Sequence, residues 1–284
     1  MKRSEIKTHK ERLRYIEDHL RDAHDAMGVQ RDALGFVEVV HHMTYALPAL
    51  NYVTPRRKTA LVPGTHVEDG ISALREYRRS ARMLYVQELF PAFFGKSLEK
   101  IGLSLQARFP IWIIDLNEQA MTHQLPDSLT VNTVVDQQGL AIWQLVWRNA
   151  NYRVLGTPLE PLQIGKQHTQ SKNITDVILY HHDTPVAVAR LTRHNDTVHL
   201  MARALLQSTQ PLHLHQWLIQ AAVQTATEQG ATLLFICDDD VDHLLPTLNL
   251  SCQLEGNMLC YTDTIDEPNG EETYDTVEQS VLLT

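Results

Sequence analysis

No stretch of this 284-residue sequence approaches the roughly 20 consecutive apolar residues that cross a bilayer. The opening Met1-Lys-Arg-Ser-Glu5 is charged and carries no apolar segment of a secretory signal. Neither a membrane span nor a membrane partner is expected. Cysteine is scarce. The three thiols, Cys237, Cys252 and Cys260, have neither metal-ligand spacing nor disulfide density, which suits a reducing, cytoplasmic setting. Positive charge is in deficit: 25 Lys and Arg against 34 Asp and Glu give a net charge of −9. That balance excludes bulk attraction to nucleic acid, and no basic run is interleaved with aromatics as a single-strand binder requires. Gly-x-Gly-x-x-Gly, the Walker loop and paired zinc motifs are all missing.

What is present is a chain with 43% apolar residues, enough for a sizeable core in one large or two smaller domains. The stretch Thr197–Cys237 organises it. Thr197-Val-His-Leu-Met-Ala-Arg-Ala-Leu205 reads as a strand, broken by Gln207-Ser-Thr-Gln-Pro211. From Leu212 to Gln229 the residues Leu214, Trp217, Leu218, Ala221 and Ala222 share one helical face, and Gly230 ends the helix. Ala231-Thr-Leu-Leu-Phe-Ile-Cys237 is continuous enough for a buried parallel strand. A βαβ unit of this kind leaves the N–H groups of the helix start at the carboxyl edge of the strands, ready for an anion.

In this unit the chain resembles the GNAT acyltransferase superfamily, which binds the pyrophosphate of an acyl-CoA with a Gln/Arg-x-x-Gly-x-Gly/Ala loop. The aligned residues are Gln210-Pro-Leu-His213-Leu-His215. The resemblance implies an N-acyltransferase using acetyl-CoA or another acyl-CoA on a small amine. The pantetheine arm would lie along Met201, Ala202, Arg203, Ala204 and Leu205, and the pyrophosphate near Gln210, Leu212, His213, Leu214 and His215. Two departures carry a second reading. His213 and His215 stand where the family has small residues, and Leu245 stands where a family tyrosine protonates the leaving thiolate; Tyr180 and Tyr261 are other tyrosines for that role. The alternative is a GNAT scaffold that binds a small molecule or partner, or runs other chemistry, without acyl transfer.

The rest of the chain fits the same plan. Leu13, Ile16, Leu20 and Met27 recur at helical spacing, closed by Gly28, and predict a helix that packs one stripe on the body or joins a homodimer. Asp32–Pro63 reads as extended, Val67–Ser80 as a helix, Arg82–Gln87 as a strand, Phe90–Ile101 as a helix and Leu103–Ile114 as a strand. Gln137–Ala150 is helical, with Leu140, Trp143 and Trp147 on one face. Ile174–Tyr180 and Pro185–Leu191 form a hairpin. Asp240–Leu248 reads as a short helix and Leu250–Thr262 as closing strands. Ile101-Gly-Leu-Ser-Leu-Gln-Ala107 matches Leu248-Asn-Leu-Ser-Cys-Gln-Leu254 at equivalent places in the element order. The expected fold is α/β: two GNAT-like halves with mixed, mostly antiparallel sheets flanked by helices. Residues 1–126 and 127–262 form the halves, and an acidic tail, 263–284, with seven carboxylates and no Lys or Arg, is solvated.

Among the 15 histidines, His41-His42, His181-His182 and His213-x-His215 suggest metal ligands, as does Asp238-Asp-Asp-Val-Asp-His243, yet no spacing is diagnostic and no metal is assigned. The acid run reads as a helix cap, and the hairpin histidines as solvated. Arg203, on a half-buried strand, requires an acidic partner or solvent. Tyr45, Asn51 and Tyr52 line a cleft or sit at a domain interface. Glu88 is a base in the N-terminal half or a carboxylate at a helix start.

Overall fold

A computed structural model describes residues 8–26, 28–46, 48–57, 59, 61–117, 125–150, 173–206, 211–238, 245 and 250–263. The tail beyond Asp263, Met27, most of the expected helix at Asp240–Leu248, and the segment 151–172 lie outside the described residues.

The N-terminal half contains α1 (His9–Ala26), β1 (Gln30–Leu34), β2 (Val37–His41), β3 (Tyr52–Pro55), α2 (Gly64–Glu76), β4 (Arg82–Val86), α3 (Phe93–Lys100) and β5 (Leu103–Asp115). The C-terminal half contains β6 (Leu129–Thr133), α4 (Gln137–Ala150), β7 (Ile174–His181), β8 (Thr184–His194), β9 (Thr197–Leu205), α5 (Pro211–Glu228), β10 (Leu233–Cys237) and β11 (Cys252–Asp263). The fold is α/β with mixed, mostly antiparallel pairing, as expected. The two halves share one 11-stranded sheet in the order β1-β2-β3-β4-β11-β5-β10-β9-β8-β7-β6. Among the described residues no helix is long and apolar enough to cross a membrane.

Each half carries one parallel pair, β3 with β4 and β9 with β10. The last strands are exchanged. β5 leaves its own half to pair with β10, while β11 inserts beside β4. The two exchanged strands pair with each other, antiparallel, from Leu103↔Asp263 to Ile114↔Cys252. The repeated sequences therefore begin the two central strands from opposite ends. A bulge near Gly256 bends β11. The backbone N–H of Asn257 donates to Glu88 at 3.0 Å and its side-chain amide to the same carboxylate at 3.1 Å. Glu88 sits in a short 3-10 turn and braces this bulge.

Gly28, Gly102 and Gly230 follow α1, α3 and α5 with φ of 87°, 87° and 73°, the left-handed conformation that ends a helix cheaply only at glycine. α2 lies on one face of the N-terminal strands, with Val67, Ile71 and Leu74 buried against Val37, Val53 and Met83. α5 covers the same side of the C-terminal strands, burying Leu218, Ile219 and Ala222 on Val198, Leu200 and Leu234. α4 covers the opposite face, where Trp143 and Trp147 stack at 5.4 Å over Val188, Ala202 and Ala204. α1 crosses the middle of that face. Leu13 and Ile16, fully buried, pack on Val86, Ile111, Ile113 and Phe235, residues from both halves. Each such side chain contributes about 1.5–3 kcal/mol. The first helix thus joins the halves rather than lying on one of them.

One buried ion pair sits beneath α4. Arg190 on β8 grips Asp176 on β7 with two bonds of 2.7 Å and lies 4.5 Å over the Trp143 ring.

Candidate functional site

β9 and β10 stay in parallel register for three pairs, ending at Phe235↔His199. Beyond that point they part: β9 follows β8, and β10 follows β5. A bulge at Met201, between the pairs Leu191↔Leu200 and Arg190↔Ala202, turns β9 away. The edge of β9 that faces β10 is left without its neighbouring strand. On the N-terminal side β3 and β4 are joined at a single pair, Val53↔Met83.

A cavity of about 910 Å³ occupies this split and the space between α1 and α4. Its lining comes from both halves. All five residues assigned to the pantetheine arm, Met201 to Leu205, line it, and so does His215. Ala202 and Ala204 face the α4 side, whereas Arg203 reaches the start of α5 on the other. The cavity therefore passes through the sheet at the split. Gln210 lies outside the described residues, as do the side chains of Leu212 and His213. Leu214 packs into the core with Leu218.

Arg203 has the acidic partner its position required. Its NH2 donates to Asp238 at 3.0 Å and its NH1 to Nδ1 of His215 at 2.9 Å. A guanidinium only donates, so the His215 nitrogen accepts and that ring is neutral. The Arg203 side chain is 8% exposed, and its Nε has no partner among the described residues. Such a buried donor is costly unless something accepts from it. Cys237, just before Asp238, has its thiol pushed up to about 12, by burial first and then by Asp238. It is a thiol and not a thiolate at neutral pH, which removes it as a nucleophile.

The other end of the cavity belongs to the N-terminal half. Tyr52, 5% exposed, is hydrogen-bonded to Nδ1 of His24 at 2.7 Å. Burial raises the Tyr52 hydroxyl to about 12 and, with Arg31 nearby, lowers His24 to about 4. Arg31 lies near the Tyr52 hydroxyl and opposes that rise. Behind it, Arg31 and Arg21 converge on Glu38 at 3.4 and 3.0 Å, and Arg31 meets Asp25 at 2.5 Å. His199, at the vertex of the split, stacks on Phe235 at 4.5 Å, and burial holds it well below the usual histidine range. His19 on α1 bonds Thr197 at 2.7 Å and Thr192 at 3.0 Å; burial and His194 lower it to about 3.

Tyr52 lines the cavity. Asn51 and Tyr45 are structural neighbours: Asn51 accepts from His42 N–H at 3.0 Å and donates to the Tyr45 carbonyl at 2.8 Å. His24 and His199 escaped the sequence reading, because neither lies in a motif. The paired histidines are dispersed. His41 is buried against Tyr77, His42 caps its own turn through Thr44 and Tyr45 N–H, and His181 and His182 are exposed at the hairpin tip. Among the described residues no three potential ligands converge as a metal site. Leu245 is fully buried in the core, and Tyr261 lies between Tyr85 and Gly95; neither Tyr261 nor Tyr180 lines the cavity.

Two halves, each with a parallel pair that splays and a helix leaving the splay, make this a tandem GNAT-like fold. Solved structures bear this out. A GCN5-related N-acetyltransferase from Kribbella flavida matches with a TM-score of 0.72 at 16% identity, over 89% of this chain and 95% of that one. A second, from Sphaerobacter thermophilus, gives 0.58 at 9% identity over 80% and 76%. A tandem GNAT protein from the clavulanic acid biosynthesis pathway gives 0.52 at 9% identity over 74% of each chain. No protein-family model matches the chain, and no curated protein matches it.

Proposed function

We propose that the protein is an N-acyltransferase that moves an acyl group, acetyl first, from an acyl-CoA to a small amine. The observation that carries this reading is the split: β9 leaves β10 at His199, and Met201–Leu205 line the cavity that runs through it. An exposed strand edge offers N–H and C=O groups to the amides of a pantetheine arm as a neighbouring strand would. The residues fit such a guest. Arg203 supplies a buried donor whose Nε is unsatisfied, and α5 begins close by. Bound acyl-CoA supplies an activated acyl group. The chain's own work is to hold it against the amine, exclude water and take up a proton, which is mainly a gain from proximity. Cys237 stays protonated, so direct transfer is favoured over a covalent route through it.

One observation favours the scaffold reading instead. The Arg203–Asp238 pair ties the end of β9 to the end of β10 across the split. In an acyltransferase this tie opens or slides aside; in a scaffold it stays shut. Calorimetric titration with acetyl-CoA and with free CoA separates the two. Micromolar binding, weakened at least tenfold in Arg203→Ala, is the expected result. No heat and no thermal shift at millimolar ligand would remove the CoA reading and leave the scaffold.

A further inference from the structure

The cavity is larger than the split and continues into the N-terminal half, which nothing above uses. We infer that this end is the acceptor's chamber. It takes a monoamine on an apolar body, and Tyr52, backed by His24, accepts the proton the amine sheds. The inference rests on the acyltransfer reading and names its substrate class and its proton acceptor.

Position comes first. The bulged Met201, at the mouth of the split, packs in a small cluster with Leu50 and Tyr45. Leu50 is two residues before Tyr52, and His24 lines the same cavity as His199 at the vertex. The Tyr52–His24 pair therefore stands beside the point where an acyl group held along β9 would end. Met201, Leu50, Tyr52, His24 and His199 all line one cavity.

Hydrogen bonding then sets the roles. With His24 in the Nε2–H tautomer, the Tyr52 hydroxyl donates to Nδ1 at 2.7 Å. This leaves the lone pairs of the Tyr52 oxygen to receive a proton. In the step, the amine nitrogen bonds to the acyl carbon as the carbon–sulfur bond breaks. Tyr52 Oη takes the proton from nitrogen while its own passes to Nδ1 of His24. The same two groups return that proton to the leaving sulfur. An amide and a thiol result, and no other reactant is consumed.

The walls choose the acceptor. Leu20, Leu50, Pro55, Leu84, Val86 and Met258 line the chamber. The carboxylates that line the cavity are already engaged: Glu17 with Arg14, Asp18 with Arg57, Glu38 with Arg21 and Arg31, and Asp238 with Arg203. A second ammonium would be stripped of water without a carboxylate to meet it, whereas an alkyl or aryl body would be favoured throughout.

The test uses the full-length protein, acetyl-CoA and four amines: 2-phenylethylamine, n-hexylamine, spermidine and glucosamine, with thiol release as readout. The first two should be acylated with kcat/KM at least tenfold above the polar pair. Tyr52→Phe should lower kcat by about 10²–10³-fold, within the usual range for a lost acid–base group. Its affinity for acetyl-CoA and its amine KM should match the native protein, while loss of the buried hydrogen bond to His24 lowers its thermal midpoint by a few degrees without unfolding it. His24→Gln should lower kcat less, because the Tyr52 oxygen remains. A Tyr52→Phe protein with native kcat would overturn the proton-acceptor role while leaving acyl transfer intact. Preference for spermidine or glucosamine would overturn the substrate class. A native protein that binds no acetyl-CoA would instead sink the acyltransfer reading, and this inference with it.

Discussion

Two buried histidines should make this protein lose stability in mild acid, well before its carboxylates titrate. His19 and His199 are 0% and 8% exposed. Burial holds both neutral in the fold: His19 is lowered to about 3, with His194 contributing, and His199 lies well below its ordinary value. In the unfolded chain each binds a proton with a pKa of about 6.5. Below that value the unfolded state takes up protons that the folded state refuses, so stability falls as pH falls from about 6.5 towards 3. One unit below the unfolded value, each histidine costs about 1.4 kcal/mol, or about 3 kcal/mol for the two. That is a large part of a typical folding free energy of about 5–15 kcal/mol. His24, lowered to about 4 by burial, acts in the same sense and adds to the loss. A difference measurement separates its contribution. His199→Phe preserves the stack on Phe235 and removes one proton site. Urea denaturation at about pH 8 and about pH 5.5 should show the native protein losing about 1.4 kcal/mol more than the variant, or about 0.5 M in midpoint at an m-value of about 3 kcal/mol/M. Equal losses would mean that His199 binds its proton in the fold as readily as outside it, and the reasoning would fail.

Three further outcomes follow from the packing. Asp176→Asn leaves the Arg190 guanidinium buried without its anion and should cost about 3–5 kcal/mol by urea denaturation. Gly256→Ala places a Cβ 2.5 Å from the Glu88 carboxylate and 3.2 Å from Leu13, so the brace on the β11 bulge must move; a loss of about 1–3 kcal/mol is expected, and thermal unfolding reads it. Cys237, raised from 9.0 to about 12, should react with iodoacetamide roughly 10³-fold more slowly than an ordinary thiol at about pH 8, as peptide mapping of the alkylated protein will show.

Local elements were well marked in the sequence, because each announced itself by period and punctuation. Trp143 and Trp147, four residues apart, defined the inner face of α4, and Gly28, Gly102 and Gly230 marked three helix ends. β6 was missed. It is an edge strand, Leu-Thr-Val-Asn-Thr, with only Leu129 buried, so no alternation of burial betrayed it. The exchange of β5 and β11 had no local signature either. The repeat at Ile101 and Leu248 identified the two strands as equivalents, but partner choice is settled across the whole sheet. At the site, the strand residues Met201–Leu205 were found because a βαβ unit dictates where its open edge lies. His24 was not. It reads as one more polar residue on an amphipathic helix, and only the passage of α1 over both halves brings it to Tyr52.

The exchange of last strands sets an order of events at synthesis. The open side of β4 is closed by β11, Cys252–Asp263, so the first half carries a bare sheet edge until the ten other strands described have been made. An unpaired edge of that kind recruits whatever strand is nearest. A chain cut short before Cys252 would have β4 and β5 both in search of the same missing neighbour, and a second such chain could supply only another vacancy. The two halves are therefore a single cooperative unit, completed by its last strand, with contacts so distant in sequence that folding should be slow.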